Sequence, residues 1–464
     1  MARLSVSRLA GRTVTCISLV VALVVSGTPA FSADHPNPHA MNLSNLAQTD
    51  GCAACHRMHS EKQQLFVPLN TESRAVGCLT CHDGSGADDD VKGQFDAVAA
   101  ASKANNSATR SFFIHDAVAT GTGHIAPTPD ADGGVVVPEE FAGVSNRHAD
   151  CVDCHNPHVA DPSIASQAST TGWTASGAIA GASVVRATWS GSTSFSFIDR
   201  ASTSTNFEYQ LCLKCHSSYT DISNAGFTDT PSKIWIDKGL DVNPNNDSMH
   251  PISAQGTNQT SAMAASLAGG VRVGSGAGQW NIDSTSTISC TACHGSSSSA
   301  GDTHASTHRG ILRWNYQDRV LNASSSTYAA TDFTLCWQCH AQDPFTLTKA
   351  GSSWSANDET SGATNFSYLH TFHISQIASV NDNPGPGVGT NIDTAGDGNG
   401  NAICAECHFR LHSTAQVVAG QDLNGGSKTR LVNFAPNVVS IDGGTTPVTW
   451  VMKNGATPGS CTLT

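Results

Sequence analysis

One pentapeptide, repeated seven times, constrains this chain more than anything else in it. C-x-x-C-H occurs at Cys52–His56, Cys78–His82, Cys151–His155, Cys212–His216, Cys290–His294, Cys336–His340 and Cys404–His408. The copies use fourteen of the sixteen cysteines: Cys52, Cys55, Cys78, Cys81, Cys151, Cys154, Cys212, Cys215, Cys290, Cys293, Cys336, Cys339, Cys404 and Cys407. Only Cys16 and Cys461 stand outside them. Positions i, i+3 and i+4 share one face of a helical turn. A single turn therefore presents two thiols and one imidazole to the same partner. That is the attachment signature of c-type haem, in which the thiols add to vinyl groups and the histidine donates a ring nitrogen to iron. Half a zinc site or a redox dithiol also begins C-x-x-C, but neither requires the histidine that follows here every time. Haem c is the expected cofactor, seven groups in this chain, with His56, His82, His155, His216, His294, His340 and His408 as proximal metal ligands.

A chain of 464 residues has room for two to four globular domains. Charged residues are 13% of it, about half the usual share. Without residues 1–33, seven haems leave about 60 residues each, close to the size of a minimal domain. The porphyrins are thus expected to supply the core. The fold class expected is a multihaem cytochrome c: mostly irregular loop, short helices at the motifs, a few short β-strands and a haem-centred core. Ser/Gly/Thr-rich stretches at 163–183, 284–307 and 351–367 show neither helical nor strand periodicity. Strand-like runs occur at 184–198 and 430–439, and the last fifty residues, with T-P-V-T-W-V-M, suit a small β-unit.

Residues 1–33 have the form of a secretory signal: Arg3, Arg8 and Arg12, then an apolar run from Val14 to Val25, then small residues and Pro29. Cys16 lies at the start of that run, the wrong place for a lipid-anchor cysteine. No later stretch approaches a membrane helix in length, so no transmembrane segment is expected. Losing the leader's three arginines takes the formal charge from −13 to −16. That balance disfavours nucleic acid and anionic membranes as partners. The chain is expected to be exported, and the cell surface suits it better than the periplasm.

The motifs alternate in their tails. The first, third and seventh are followed at once by another histidine (His59, His158, His412), and the fifth by His304 and His308; the second, fourth and sixth lack one. A histidine-bearing segment precedes each odd motif: His35 and His39; His115, His124 and His148; His250; His370 and His373. The expected units are 34–146 (first pair), 147–248 (second pair), 249–368 (third pair) and 369–464 (seventh haem and the β-like segment). Cys461 falls where an eighth motif would begin, so a longer chain with an eighth haem is expected. Thirteen histidines lie outside the motifs, which makes bis-histidine ligation the economical reading. A histidine three residues beyond a motif cannot easily curl back to its own iron. His59, His158 and His308 are therefore expected to serve the second haem of each pair. For the odd haems the choice is His35, His148, His250 and His373, with His39, His115, His124, His304 and His370 as substitutes. His412 would serve the eighth.

The pattern resembles multihaem c-type cytochromes of the doubled-CXXCH type, most strongly over residues 50–86 and 147–158. Through M-H-P-I and the I-H-D and F-H-I segments it is also similar to hexahaem outer-surface cytochromes of metal-reducing bacteria that polymerise into filaments. The resemblance implies bis-His haems, secretion, electron export at the cell surface and a homopolymer, although the haem count differs. The function expected is conduction of electrons along closely stacked haems, with other redox proteins or extracellular acceptors as partners. The alternative is a multihaem reductase of nitrite, hydroxylamine or a sulfur oxyanion with one open haem. No C-x-x-C-K marks such a site here. A haem-decorated structural surface protein is a third class. Asp393, Asp397, Asn399 and Asn401 have the alternate spacing of a calcium loop but lack its closing acid, and a Gly/Asn-rich turn fits the segment better.

Overall fold

A computed structural model of the chain describes residues 75–79, 81–87, 89–104, 113–115, 117, 149–190, 193–199, 206–220, 228–229, 233–234, 237–246, 248–256, 267, 272–273, 280–281, 283, 285–296, 303–316, 330–341, 404, 408, 411–413, 417–418, 421–422, 431, 449–451 and 460–462. Contacts divide the chain into two units, Met1–Phe66 and Val67–Thr464, and every described residue belongs to the second. The leader, the first motif, Cys407, the calcium-like loop and the 351–367 stretch lie outside the described residues. So do His35, His39, His59, His124, His148, His370 and His373.

Helix is short and sits largely where cysteine requires it. Helix α1 (Ala75–Cys78) leads into the second motif, and α2 (Val91–Ala104) follows it. Helix α3 (Cys151–Cys154) is the third motif itself, and α4 (Glu208–His216) carries the fourth. Single 3-10 turns form the fifth (Cys290–Ala292) and sixth (Cys336–Gln338). A four-residue helix, α5 (Lys238–Asp241), begins at Asp237, whose carboxylate accepts from Gly239 N–H at 2.7 Å. That bond satisfies one of the donors that a helix start leaves open.

All strands among the described residues lie in two-stranded antiparallel pairs. The longest is β3 (Val184–Thr188) against β4 (Ser194–Ile198), in register from Val184 opposite Ile198 to Thr188 opposite Ser194. It matches the strand-like run in the sequence. Its β-branched Val184 and Val185 are buried, while Arg186 points out. Near the end of the chain, Thr449–Val451 pairs with Ser460–Thr462, as the terminal pattern suggested. Of the 430–439 run only Leu431 is described. The Ser/Gly/Thr-rich stretch 163–183 is more ordered than its lack of periodicity implied. It holds β1 (Ala168–Ser169), β2 (Gly172–Trp173) and a 3-10 turn, Gly177–Ile179. Hydroxyls replace apolar alternation as the fixing device: Thr287 Oγ1 donates to Ser169 O at 2.6 Å, and Ser169 Oγ to Gly172 O at 2.7 Å. Gly172 has φ of +134°, and a Cβ there would meet the Tyr209 ring at 3.0 Å.

Apolar side chains gather in small clusters. Tyr209, Leu213, Val242, Ile252, Ile288 and Ala292 form one, with Cys290 and Cys339 packed against it. Phe95, Val98, Phe113, Ile114 and Ala305 form a second, beside His115 and His304 in sequence. Phe333 anchors a third, against Cys336, Trp337 and Cys404. No helix among the described residues is long and apolar enough to cross a membrane.

Candidate haem sites

Every described motif closes the turn its spacing demands. The histidine N–H donates to the carbonyl of the first cysteine at 3.0 Å in the second motif, and at 2.9 Å in the third, fifth, sixth and seventh. In the fourth the whole motif lies within α4. The third is braced further, since Asp150 N–H donates to Asp153 Oδ2 at 2.7 Å.

The ring nitrogens are oriented as iron ligands need. Nδ1 donates to a backbone carbonyl in His82 (Asp89, 3.3 Å), His155 (Ala178, 2.8 Å), His294 (Gly310, 2.8 Å) and His408 (Leu431, 2.9 Å). Two histidines outside the motifs do the same: His115 to Thr303 O at 2.8 Å, and His250 to Leu411 O. A proton held on Nδ1 leaves Nε2 with its lone pair free to bind a metal. Burial, the leading cause, lowers the affinity of His115, His250, His294, His408 and His412 for a second proton. Burial also raises the thiols of Cys154 and Cys339 to about 12 and of Cys293 to about 11.

Three motif histidines face a second imidazole. Ring centres are 5.8 Å apart for His155 and His304, 6.2 Å for His216 and His115, and 5.9 Å for His294 and His412. A metal held between two imidazoles at about 2 Å from each nitrogen puts ring centres about 6 Å apart. The donor set therefore fits haem iron. Among the described residues no group of three or more His, Cys, Asp or Glu is placed to hold a metal ion.

Consecutive motifs also touch in sequence order. Cys78 and Cys151 lie close enough to influence each other's thiols, which sets the second motif beside the third. Cys212 and Cys290 are electrostatic neighbours in the same sense, which sets the fourth motif beside the fifth. Cys336 and Cys404 pack around Phe333 and join the sixth to the seventh. Between these contacts run others, which the sequence did not signal. Lys214, inside the fourth motif and 2% exposed, donates to Asp153 O of the third at 2.5 Å and to Ser183 Oγ at 3.1 Å. The buried Glu208 accepts from Thr291 N–H at 2.9 Å and Thr291 Oγ1 at 2.7 Å, gripping the fifth motif from the helix of the fourth. Cys290 and Cys339 pack on one apolar cluster, linking fifth to sixth.

The histidines gathered here differ in part from those the sequence favoured. His412, expected to serve a later haem, lies against His294. His304 and His115, held as substitutes for odd motifs, lie against His155 of the third and His216 of the fourth. His250, expected at an odd motif, is an electrostatic neighbour of His408. His158 is exposed, its N–H donating to Asn156 Oδ1 at 3.1 Å, and the N–H of His308 donates to Ser306 Oγ at 3.0 Å. The reason is strand pairing. The segments of His304 and His412 form β-bridges with histidine segments far upstream, Ile114 with Ala305 and Met249 with Ser413, which carries these two histidines away from their own motifs.

Residues 45–87 match the family model of the doubled CXXCH motif. No curated protein and no solved structure matches the chain. The matched span carries the first two copies of a signature that recurs five more times downstream, and the match supports a multihaem c-type cytochrome.

Proposed function

We propose that the chain is an exported electron conductor whose third, fourth and fifth haems are clasped by His155 and His304, His216 and His115, and His294 and His412. The observation that carries this reading is the succession of neighbouring motifs, second to seventh, combined with imidazoles set about one iron apart. Bound haem supplies a one-electron couple. The polypeptide supplies fixed imidazole orientation through the Nδ1 bonds, exclusion of water by the small apolar clusters, and a short spacing through the cysteine contacts. The leader-like start and acidic balance support an extracellular role, passing electrons to a redox partner or external acceptor, with a homopolymer as the assembled form.

Stepwise reductive titration of the purified haem-loaded protein tests conduction. All attached haems are expected to reduce, with rapid exchange among them and no turnover of nitrite, hydroxylamine or sulfite. Catalytic consumption of one of those substrates would replace this reading with the reductase. Electron microscopy of protein recovered from the cell surface tests the polymer.

A further inference from the structure

We propose that His250 is the distal ligand of the sixth haem, opposite His340, an inference that rests on the facing-ring assignments above. Two histidine segments in the chain are docked by the same device. In the first, His115 N–H donates to His304 O at 2.9 Å, His115 Nδ1 donates to Thr303 O, and Ile114 bridges Ala305. In the second, His250 N–H donates to His412 O at 3.0 Å, His250 Nδ1 donates to Leu411 O, and Met249 bridges Ser413. The residues correspond one to one: Ile114 to Met249, His115 to His250, Thr303 to Leu411, His304 to His412 and Ala305 to Ser413. The bridging residues are buried in both, at 3% and 1% in the first, 5% and 0% in the second.

The correspondence extends to what the tails do. His304, after the fifth motif, lies against the histidine of the third; His412, after the seventh, lies against that of the fifth. Each tail thus serves two motifs back. His115 precedes the third motif and lies against the histidine of the fourth, so an upstream segment serves the even motif beyond its own. His250 precedes the fifth motif, and the same step leads to His340. The seventh motif is the competing destination, because His250 is an electrostatic neighbour of His408. The first copy shows what that proximity means. His115 is likewise a neighbour of His294 while its ring lies against His216. The alternative donor to the sixth haem is His308, which the sequence favoured. It is held within its own turn, bridged to Leu312.

The test uses the full haem-loaded chain and two readouts, the ferric spin state by electron paramagnetic resonance and carbon monoxide binding after reduction. H250G is expected to convert one haem per chain to a high-spin, carbon monoxide-binding form that imidazole returns to low spin. That signal is expected to vanish when C336A and C339A remove the sixth haem. H250M, which keeps a sixth ligand, is expected to raise one reduction potential, again only while the sixth haem is present. H308G is expected to leave every haem low-spin. The inference is overturned if H250G stays low-spin, if its signal survives loss of the sixth haem, or if H308G produces the signal instead. H115G separates the two levels of argument. A high-spin haem abolished by C212A and C215A upholds the facing-ring reading whatever His250 does, whereas a low-spin H115G brings down that reading itself.

Discussion

Glu208 is a carboxyl buried between two motifs, held by the backbone and hydroxyl of Thr291. Burial, the largest influence, pushes its proton affinity above the ordinary 4.5 and outweighs the hydrogen bonds that pull the other way. A raised folded-state value means the folded chain holds this proton more tightly than the unfolded one. The resulting stability is present in full below 4.5 and is lost as pH rises through the folded value. E208Q is therefore expected to flatten the fall in thermal midpoint above that pH, while a wild-type slope unchanged in E208Q would count against a buried protonated carboxyl. The facing imidazoles make a second prediction at this scale. H304A removes the ring 5.8 Å from His155, and one haem is expected to become high-spin and bind carbon monoxide. A variant that stays low-spin would mean another residue ligates the third haem.

At the level of elements, the motif turns were legible and the connections were not. The i, i+3, i+4 spacing dictated a turn closing His N–H onto the first cysteine's carbonyl, and each described copy outside α4 shows that bond. The Val184–Ile198 hairpin was equally plain, because β-branched and aromatic residues alternate there. What single-sequence periodicity could not give was pairing between segments 188 or 161 residues apart, such as His115 with Thr303 or His250 with Leu411. Such bridges involve one or two residues and leave no pattern. The hydroxyl-rich stretch before Val184 misled for a related reason, since its order comes from side-chain bonds to backbone rather than from apolar spacing. Lys214 was invisible too, a cation inside a motif position that sequence alone leaves arbitrary. Its buried ammonium holds the Asp153 carbonyl and Ser183, so K214M is expected to cost about 1–3 kcal/mol of stability. Denaturant unfolding with the haem count unchanged by mass checks this, and an unaltered midpoint would contradict it.

Across the whole molecule, the facing imidazoles come from distant parts of the chain. His294 of the fifth motif faces His412 in the tail of the seventh and His155 of the third faces His304 in the tail of the fifth, so these two steps of the proposed row depend on chain that comes later. Closing such long loops costs entropy, and the apolar clusters among the described residues that can offset it are small. On the proposed reading haem supplies the remainder, and a chain with its motif cysteines replaced by alanine is expected to show no cooperative melting by circular dichroism. A sharp transition near that of the haem-loaded protein would show instead that the polypeptide folds without its cofactors. The most direct test of the row is anomalous diffraction at the iron edge from crystals of the haem-loaded chain. The account predicts an iron between His155 and His304, another between His216 and His115 and a third between His294 and His412, each about 2 Å from both ring nitrogens. Irons lying outside those three gaps, or faced on their distal side by other residues, would contradict it.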